Sequence, residues 1–384
     1  SRTDSWFPEV SGNFIRNLES SSRSNSGGIA NSAIIGIAMQ HTPYPSVISD
    51  NLIHSFLLRA PTQAVHADAV VIAGSATSGP RIIARNFIHS LDVVSGNNSA
   101  TIRGISLRGG PTQVINNMVR LGIRPDGNSL GNAIYIFGIH KSSSELNRIY
   151  HNSVYIGGTT SSTNSFNTAA FRRESTGGAD TLINNILANA RSNSSSGGRH
   201  FSIWTNNNSG VFYSHNIYGW GTGTSFACQS STGSANLIAS YTPGWMAGDL
   251  NSLTTDPEFI NPDGDVASVD LHITQGGNTP VEGNGLLVSS VTDDMDGELR
   301  AGLSPVDIGA DAGNFLMNVT VAVTGNNSPV CGTDTIKLTA TASDPSAVIQ
   351  WSGPNNFTAT GPTVEIPNAD LIHDGVYRVW ATLG

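Results

Sequence analysis

The densest run of candidate metal ligands is Asp293-Asp294-Met295-Asp296-Gly297. Hard cations such as Ca²⁺ take carboxylate oxygens, and this run offers several side by side. An EF-hand loop counted back from Gly297 starts at Thr292 and ends at Leu303, where a bidentate Glu is required, so that motif fails. Two readings of Asp293, Asp294 and Asp296 stay open: a Ca²⁺ site, and an acidic turn closed by its own hydrogen bonds. No other cofactor motif is present, and Gly-x-Ser-x-Gly, His-Glu-x-x-His and P-loop patterns are all missing.

Acid–base chemistry on a sugar needs two carboxyl groups placed across one bond. Over residues 50–180 of the repeat region the acids are sparse: Asp50, Asp68, Asp92, Asp126, Glu145, Glu174 and Asp180. Their spacing puts no two at the same place in neighbouring repeats, so no catalytic pair is evident. A second set does repeat. Arg16, His54, His89, Arg120 and Tyr155 each stand three residues after a recurring Asn. If the repeats stack in register, these five form a basic and aromatic stripe able to hold a glycan by charge and ring stacking. The alternative is a solvated flank beside the core. Trp204, Trp220 and Trp245 are further candidate sugar platforms, against which stands plain core or cap packing.

The elements that must position these residues show in an internal repeat. Its markers are Asn13, Asn51, Asn86, Asn117, Asn152, Asn185 and Asn216, at steps of 38, 35, 31, 35, 33 and 31 residues. A typical copy is Ile82-Ile83-Ala84-Arg85-Asn86-Phe87-Ile88. A period of this size signals stacked repeats. Its variable length suits β-coils that absorb insertions in loops, and between markers lie further short apolar runs such as Ala133-Ile134-Tyr135-Ile136-Phe137. The pattern predicts short strands in parallel ladders about 4.8 Å apart. The residues three before and two after each Asn should fill the bore. The Asn itself is expected to sit at the bend, to tolerate left-handed backbone, and to bond its counterpart one coil away. These seven are read as scaffold.

Composition agrees with that architecture. Only 12% of the 384 residues are charged, and there are 42 Gly. The net charge is −9, and Lys141 and Lys337 are the only lysines, which argues against a nucleic-acid partner. No apolar run approaches the roughly 18 residues of a membrane span, so no membrane insertion is expected. Cys228 and Cys331 fall in different expected domains and are not expected to pair. The start, Ser-Arg-Thr-Asp, is not a signal peptide and lacks Met, which reads as a mature form or a fragment.

With these residues the chain resembles the right-handed parallel β-helix repeat family of bacterial extracellular proteins. Residues 256–311, with Asp256-Pro257-Glu258-Phe259 and Pro305-Val306-Asp307-Ile308-Gly309-Ala310, resemble the closing segment of such proteins. Asp311 is followed there by Ala312, a small departure. The segment is expected to cap the open end of the coil stack. Residues 316–384 carry alternating runs around Trp351 and Asp374-Gly375-Val376-Tyr377, and resemble the Ig-like or PKD-like modules of Bacteroidetes surface proteins.

The expected fold class is therefore all-β: a right-handed parallel β-helix over 1–225, its terminal coils and cap over 226–315, and an Ig-like β-sandwich over 316–384. The expected function is a secreted or cell-surface protein, non-catalytic, acting as an adhesin or rigid spacer with glycans or other surface molecules as partners. The alternatives are a polysaccharide lyase or glycoside hydrolase, and a subunit of a self-associating extracellular filament.

Overall fold

Each repeat folds as one coil of three strands. In one of them His66–Ala73 leads to Arg81–Ala84, and a two-residue corner, Arg85-Asn86 with Arg85 left-handed, then leads to Phe87–Val94. Coils stack with every equivalent strand parallel, giving three sheets. The long sheet runs from Ile34–Gln40 through His66–Ala73, Thr101–Leu107, Tyr135–Lys141, Thr168–Arg173 and His200–Thr205 to Ser225–Gln229, and ends on the antiparallel strand Ala235–Leu237. The corner sheet holds the strands before each marker Asn, from Glu9–Ser11 to Val211–Ser214, and the flank sheet those after it, from Phe14–Arg16 to Ile186–Asn189. The computed structural model describes residues 8–21, 32–40, 45–60, 62–74, 79–97, 99–161, 166–175, 177–194, 197–207, 209–219, 225–229, 235–237, 249, 251–276, 279–303, 306–315, 320–345 and 347–382.

The bore is filled as the repeat demands. Three residues before the markers, Ile48, Ile83, Val114, Ile149, Leu182 and Tyr213 pair in register up the corner sheet, all fully buried. Two after them, Ile53, Ile88, Val119, Val154 and Leu187 do the same up the flank sheet. Burying each such side chain is worth about 1.5–3 kcal/mol, so the stack is held chiefly by these columns.

Between the two sheets runs a continuous amide ladder. Asn51 Nδ2 donates to Asn86 Oδ1 at 2.8 Å, Asn86 to Asn117 at 2.8 Å, Asn117 to Asn152 at 2.9 Å, Asn152 to Asn185 at 2.9 Å and Asn185 to Asn216 at 3.0 Å. Asn13 begins it, donating to Asn51 Oδ1 at 2.9 Å. Each backbone N–H also donates to the next Oδ1, as Asn117 does to Asn152 at 3.0 Å. At the far end Asn216 N–H donates to Ser252 Oγ at 2.9 Å, so a serine takes the next place.

One expectation needs correction. The left-handed backbone belongs to the residue before each marker, not to the Asn. Asp50, Arg85, Asn116, His151, Asn184 and His215 have φ between 51° and 58°. The marker Asn is left to spend both ends of its amide on neighbouring coils.

The chain divides into two compact units, Ser1–Thr274 with Thr279–Phe315, and Gln275–Asn278 with Leu316–Gly384. The second unit has two antiparallel three-stranded sheets: Val321–Asn326, Ile336–Ala342 and Thr363–Ile366 in one, Val348–Gly353, Phe357–Thr360 and Arg378–Thr382 in the other. They share a core of Ile336, Leu338, Ile349, Trp351, Val364 and Ile366. Alternate residues face inward along Ile336–Ala342 and Thr363–Ile366, which is the pattern of a β-sandwich. Trp351 Nε1 donates to Gly361 O at 2.9 Å, and Tyr377 Oη to His373 O at 3.0 Å.

Candidate functional site

The five stripe residues do line up. Arg16 pairs in register with His54, His54 with His89, His89 with Arg120 and Arg120 with Tyr155. Yet the column is not a surface. Arg16 is exposed, but His54 is 9%, His89 3%, Arg120 0% and Tyr155 2% exposed. The upper part is covered by residues more than a hundred positions downstream. Arg120 Nη2 donates to Gly264 O at 2.6 Å, Tyr155 Oη donates to Asp263 Oδ1 at 2.9 Å, and Phe259 meets the Tyr155 ring edge-on. A glycan has no access to Arg120 or Tyr155, so the expected binding stripe is corrected to a buried seam.

His89 gives that seam a pH dependence. Its ring stacks on His54 at 4.9 Å, and burial, with the positive charges of Arg120 and His54 added, lowers its pKa to about 3. The unfolded chain takes up this proton near pH 6.5, the folded chain only near 3. Stability from this group is therefore full above 6.5 and falls with pH through the window from 6.5 to 3. Changing His89 to Phe should shrink the drop in urea midpoint between pH 7 and pH 5. An unchanged drop would contradict the assignment.

The segment expected to cap the stack instead lies along its flank, on the ridge of left-handed residues. Arg85 Nη1 meets Asp293 Oδ2 at 2.7 Å, Asn116 Nδ2 donates to Asp293 O at 2.8 Å, Ala310 N–H donates to Ser153 Oγ at 3.0 Å, and Gly309 N–H donates to Asn184 O at 2.8 Å. Only the contact with Asn184 O reaches corner backbone; the others are made to the side chains of Arg85, Asn116 and Ser153. Gly309 explains its own motif: its φ is 103°, and a Cβ there would lie 2.6 Å from Ile186 Cδ1. Ile308 and Ala310, on either side, are fully buried against the flank sheet.

The acidic run is split in use. Asp293 is held by Arg85. Asp294, 1% exposed, accepts the N–H groups of Asp296 and Glu298 on one oxygen and that of Ala312 on the other. Those bonds close an acidic turn on Asp294. Asp296 points elsewhere, to His272 Nε2 at 3.0 Å.

A cluster that sequence reasoning missed lies on the outer side of the long sheet. His140, Arg172 and Trp204 succeed one another in register on adjacent strands. Arg172 Cζ sits 4.0 Å over the Trp204 ring, and Phe137 stacks on His140 at 5.4 Å. His140 Nε2 lies 3.3 Å from Glu174 Oε2, and Arg172 Nε 3.8 Å from Glu174 Oε1. Two coils below, fully buried Asp68 binds Arg103 at 3.3 Å and Arg108 at 3.2 Å. Contact with His140, aided by Arg172 and Arg103 against the opposing effect of burial, holds the Glu174 carboxyl down at about 2. Burial also pushes the His140 pKa down. Glu174, with 44% of its side chain exposed, and half-buried Trp204 are the accessible members. Together they offer a charged acceptor and part of one indole ring, whose other neighbour is the Arg172 guanidinium.

Trp220 and Trp245 lie outside the described residues. Cys331 is exposed and free, in the second unit. That unit also has an open pocket of about 780 Å³ floored by Leu338 and Trp351 and rimmed by Asp370, His373 and Tyr377. Asp370 and His373 are engaged with each other's backbone in a capping box, so they do not converge on the space. Compared with family models, with curated proteins and with solved structures, the chain matches none.

Proposed function

We propose that this chain is a rigid, non-catalytic, extracellular surface protein, an adhesin or spacer, that holds glycans on the outer side of its long sheet. The observation that carries the reading is the unbroken amide ladder from Asn13 to Asn216. Every coil is tied to the next by side chains as well as by sheet bonds, and the closing segment is bonded across several of them. Such a build suits a stiff, slowly opening support. The low charge and the resemblance to bacterial extracellular β-helix repeats point the same way.

For the glycan, the part of Trp204 that stays exposed supplies apolar contact and Glu174 supplies acceptors for hydroxyl groups, while Arg172, bonded to Asn206 and to backbone carbonyls, backs the indole from one side. The rival reading, a glycosidase, finds less support in this cluster. A general acid must keep its proton near neutral pH, and Glu174 gives it up near 2. The test is a glycan array with turnover assays on the hits. Retention of at least one oligosaccharide, weakened tenfold or more by Trp204→Ala and left unconsumed, is the expected result. Binding indifferent to Trp204, or accumulation of cleaved sugar, would overturn the reading.

A further inference from the structure

We propose that His272, Asp296 and Asp311 form a binding site for a borderline divalent cation of the Zn²⁺ class. Three separate stretches of the closing segment meet there: the strand Asp270–Ile273, the acidic turn and the residue after the Asp-Ile-Gly-Ala run. One ligand atom from each residue lies within 4.8 Å of the other two. Small adjustments bring such a set to about 2.0–2.2 Å from a common ion.

Two observations point to a ligand beyond the gathering of the three. The first concerns His272. Its Nδ1 is 2.6 Å from Asp270 Oδ1, while Nε2 faces Asp296. An imidazole that is tied through one nitrogen to a carboxylate and presents the other is oriented as metal-ligating histidines are. The second concerns Asp311. The residue is 7% exposed; one oxygen accepts Ile273 N–H at 2.8 Å, and the other takes no hydrogen bond among the described residues. This buried carboxylate, beside Asp294 and Asp296, has an oxygen to spare, and Arg300, though within electrostatic reach, gives its hydrogen bonds to Asn116 and to the carbonyls of Asp293, Gly309 and Ala310.

The donor set selects the ion. Ca²⁺ takes six to eight oxygens, whereas here Asp270 is tied to His272 and Asp294, in the same turn as Asp296, accepts backbone N–H groups on both oxygens. One imidazole nitrogen with two carboxylates suits Zn²⁺ and its neighbours, with positions left for water since His272 and Asp296 are 36% and 53% exposed. The ion displaces the Nε2 proton of His272, and its two charges match the two carboxylates. Its effect is to fasten three runs of the closing segment together.

The test uses the whole chain stripped with a chelator, then titrated calorimetrically with ZnCl₂ and separately with CaCl₂. We expect one Zn²⁺ per chain, a rise in Tm on binding, and at least a tenfold weaker Kd in Asp296→Asn and in His272→Gln. Asp296 is exposed, so its variant folds whatever the fate of the other. Asp270→Asn, a positioning change, should weaken binding while keeping the one-to-one ratio. Absence of saturable binding, affinity unchanged in Asp296→Asn, or Ca²⁺ binding as tight as Zn²⁺ would overturn the site. None of these outcomes bears on glycan binding, which is read separately at Trp204.

Discussion

Asn117→Ala should cost about 4 kcal/mol of stability, far more than a polar-to-alanine change on a surface. The fully buried Asn117 amide donates to Ile83 O at 2.9 Å, Ile115 O at 3.0 Å and Asn152 Oδ1 at 2.9 Å, and accepts from the backbone and side chain of Asn86 at 3.0 and 2.8 Å. Truncation strands partners on both neighbouring coils. Each buried polar group left without a partner costs about 1–3 kcal/mol, and partial relaxation keeps the sum below the simple total. Asn13→Ala is the control. Asn13 is exposed at the ladder's end, so water replaces what is lost, and a cost under about 1 kcal/mol is expected. Urea unfolding followed by circular dichroism reads both. Equal costs at the two positions would mean that the ladder carries no special weight.

The second large effect is at Asp180. Its Oδ2 binds Lys141 Nζ at 2.8 Å and Arg173 Nε at 2.8 Å, and Oδ1 accepts Asn147 N–H at 3.0 Å. All three ionic side chains are fully buried. Asp180→Ala leaves two cations in the interior with no carboxylate between them, and removing one partner of a buried pair costs about 3–5 kcal/mol. Lys141→Met removes one cation but leaves Arg173 paired, so its cost should stay near 1 kcal/mol. Burial already lowers the Lys141 pKa. Without Asp180 that ammonium is less favourable still, so the penalty in Asp180→Ala should ease as pH rises and Lys141 sheds its proton. A Lys141→Met variant less stable than Asp180→Ala would contradict this arrangement.

Much of the solenoid was legible because one signal repeats. The marker Asn and the apolar positions around it return at nearly constant offsets, so Ile83, Val114 and Ile149 could be assigned to one column before any coordinates. The left-handed corner could not be read that way. Asp50, Arg85, Asn116, His151, Asn184 and His215 share a backbone shape but no residue type, since a single left-handed residue is tolerable for several side chains, Asn, Asp and His above all.

The buried seam failed for a different reason. Arg120 and Tyr155 look like surface residues in their own repeats, and what covers them, Asp263 and Gly264, lies over a hundred residues away with no local trace. The cluster on the long sheet escaped because loops of varying length separate its strands from the markers. Asn-to-Asn counting aligns His89 with Arg120 but says nothing of His140 opposite Arg172. The acidic run was visible as ligand-rich, whereas its division between a turn at Asp294 and a partner for His272 depends on tertiary contacts.

The claim on which the rest stands is that the marker asparagines bond one another from coil to coil. Amide hydrogen exchange of the native chain, resolved by residue, tests it directly. The backbone N–H groups of Asn86, Asn117, Asn152 and Asn185 each donate to an Oδ1 in the next coil, and should exchange only through global unfolding, with protection that falls with urea at the full unfolding slope. Exchange of these four amides at the rate of the exposed loops would contradict the ladder, and with it the rigid support.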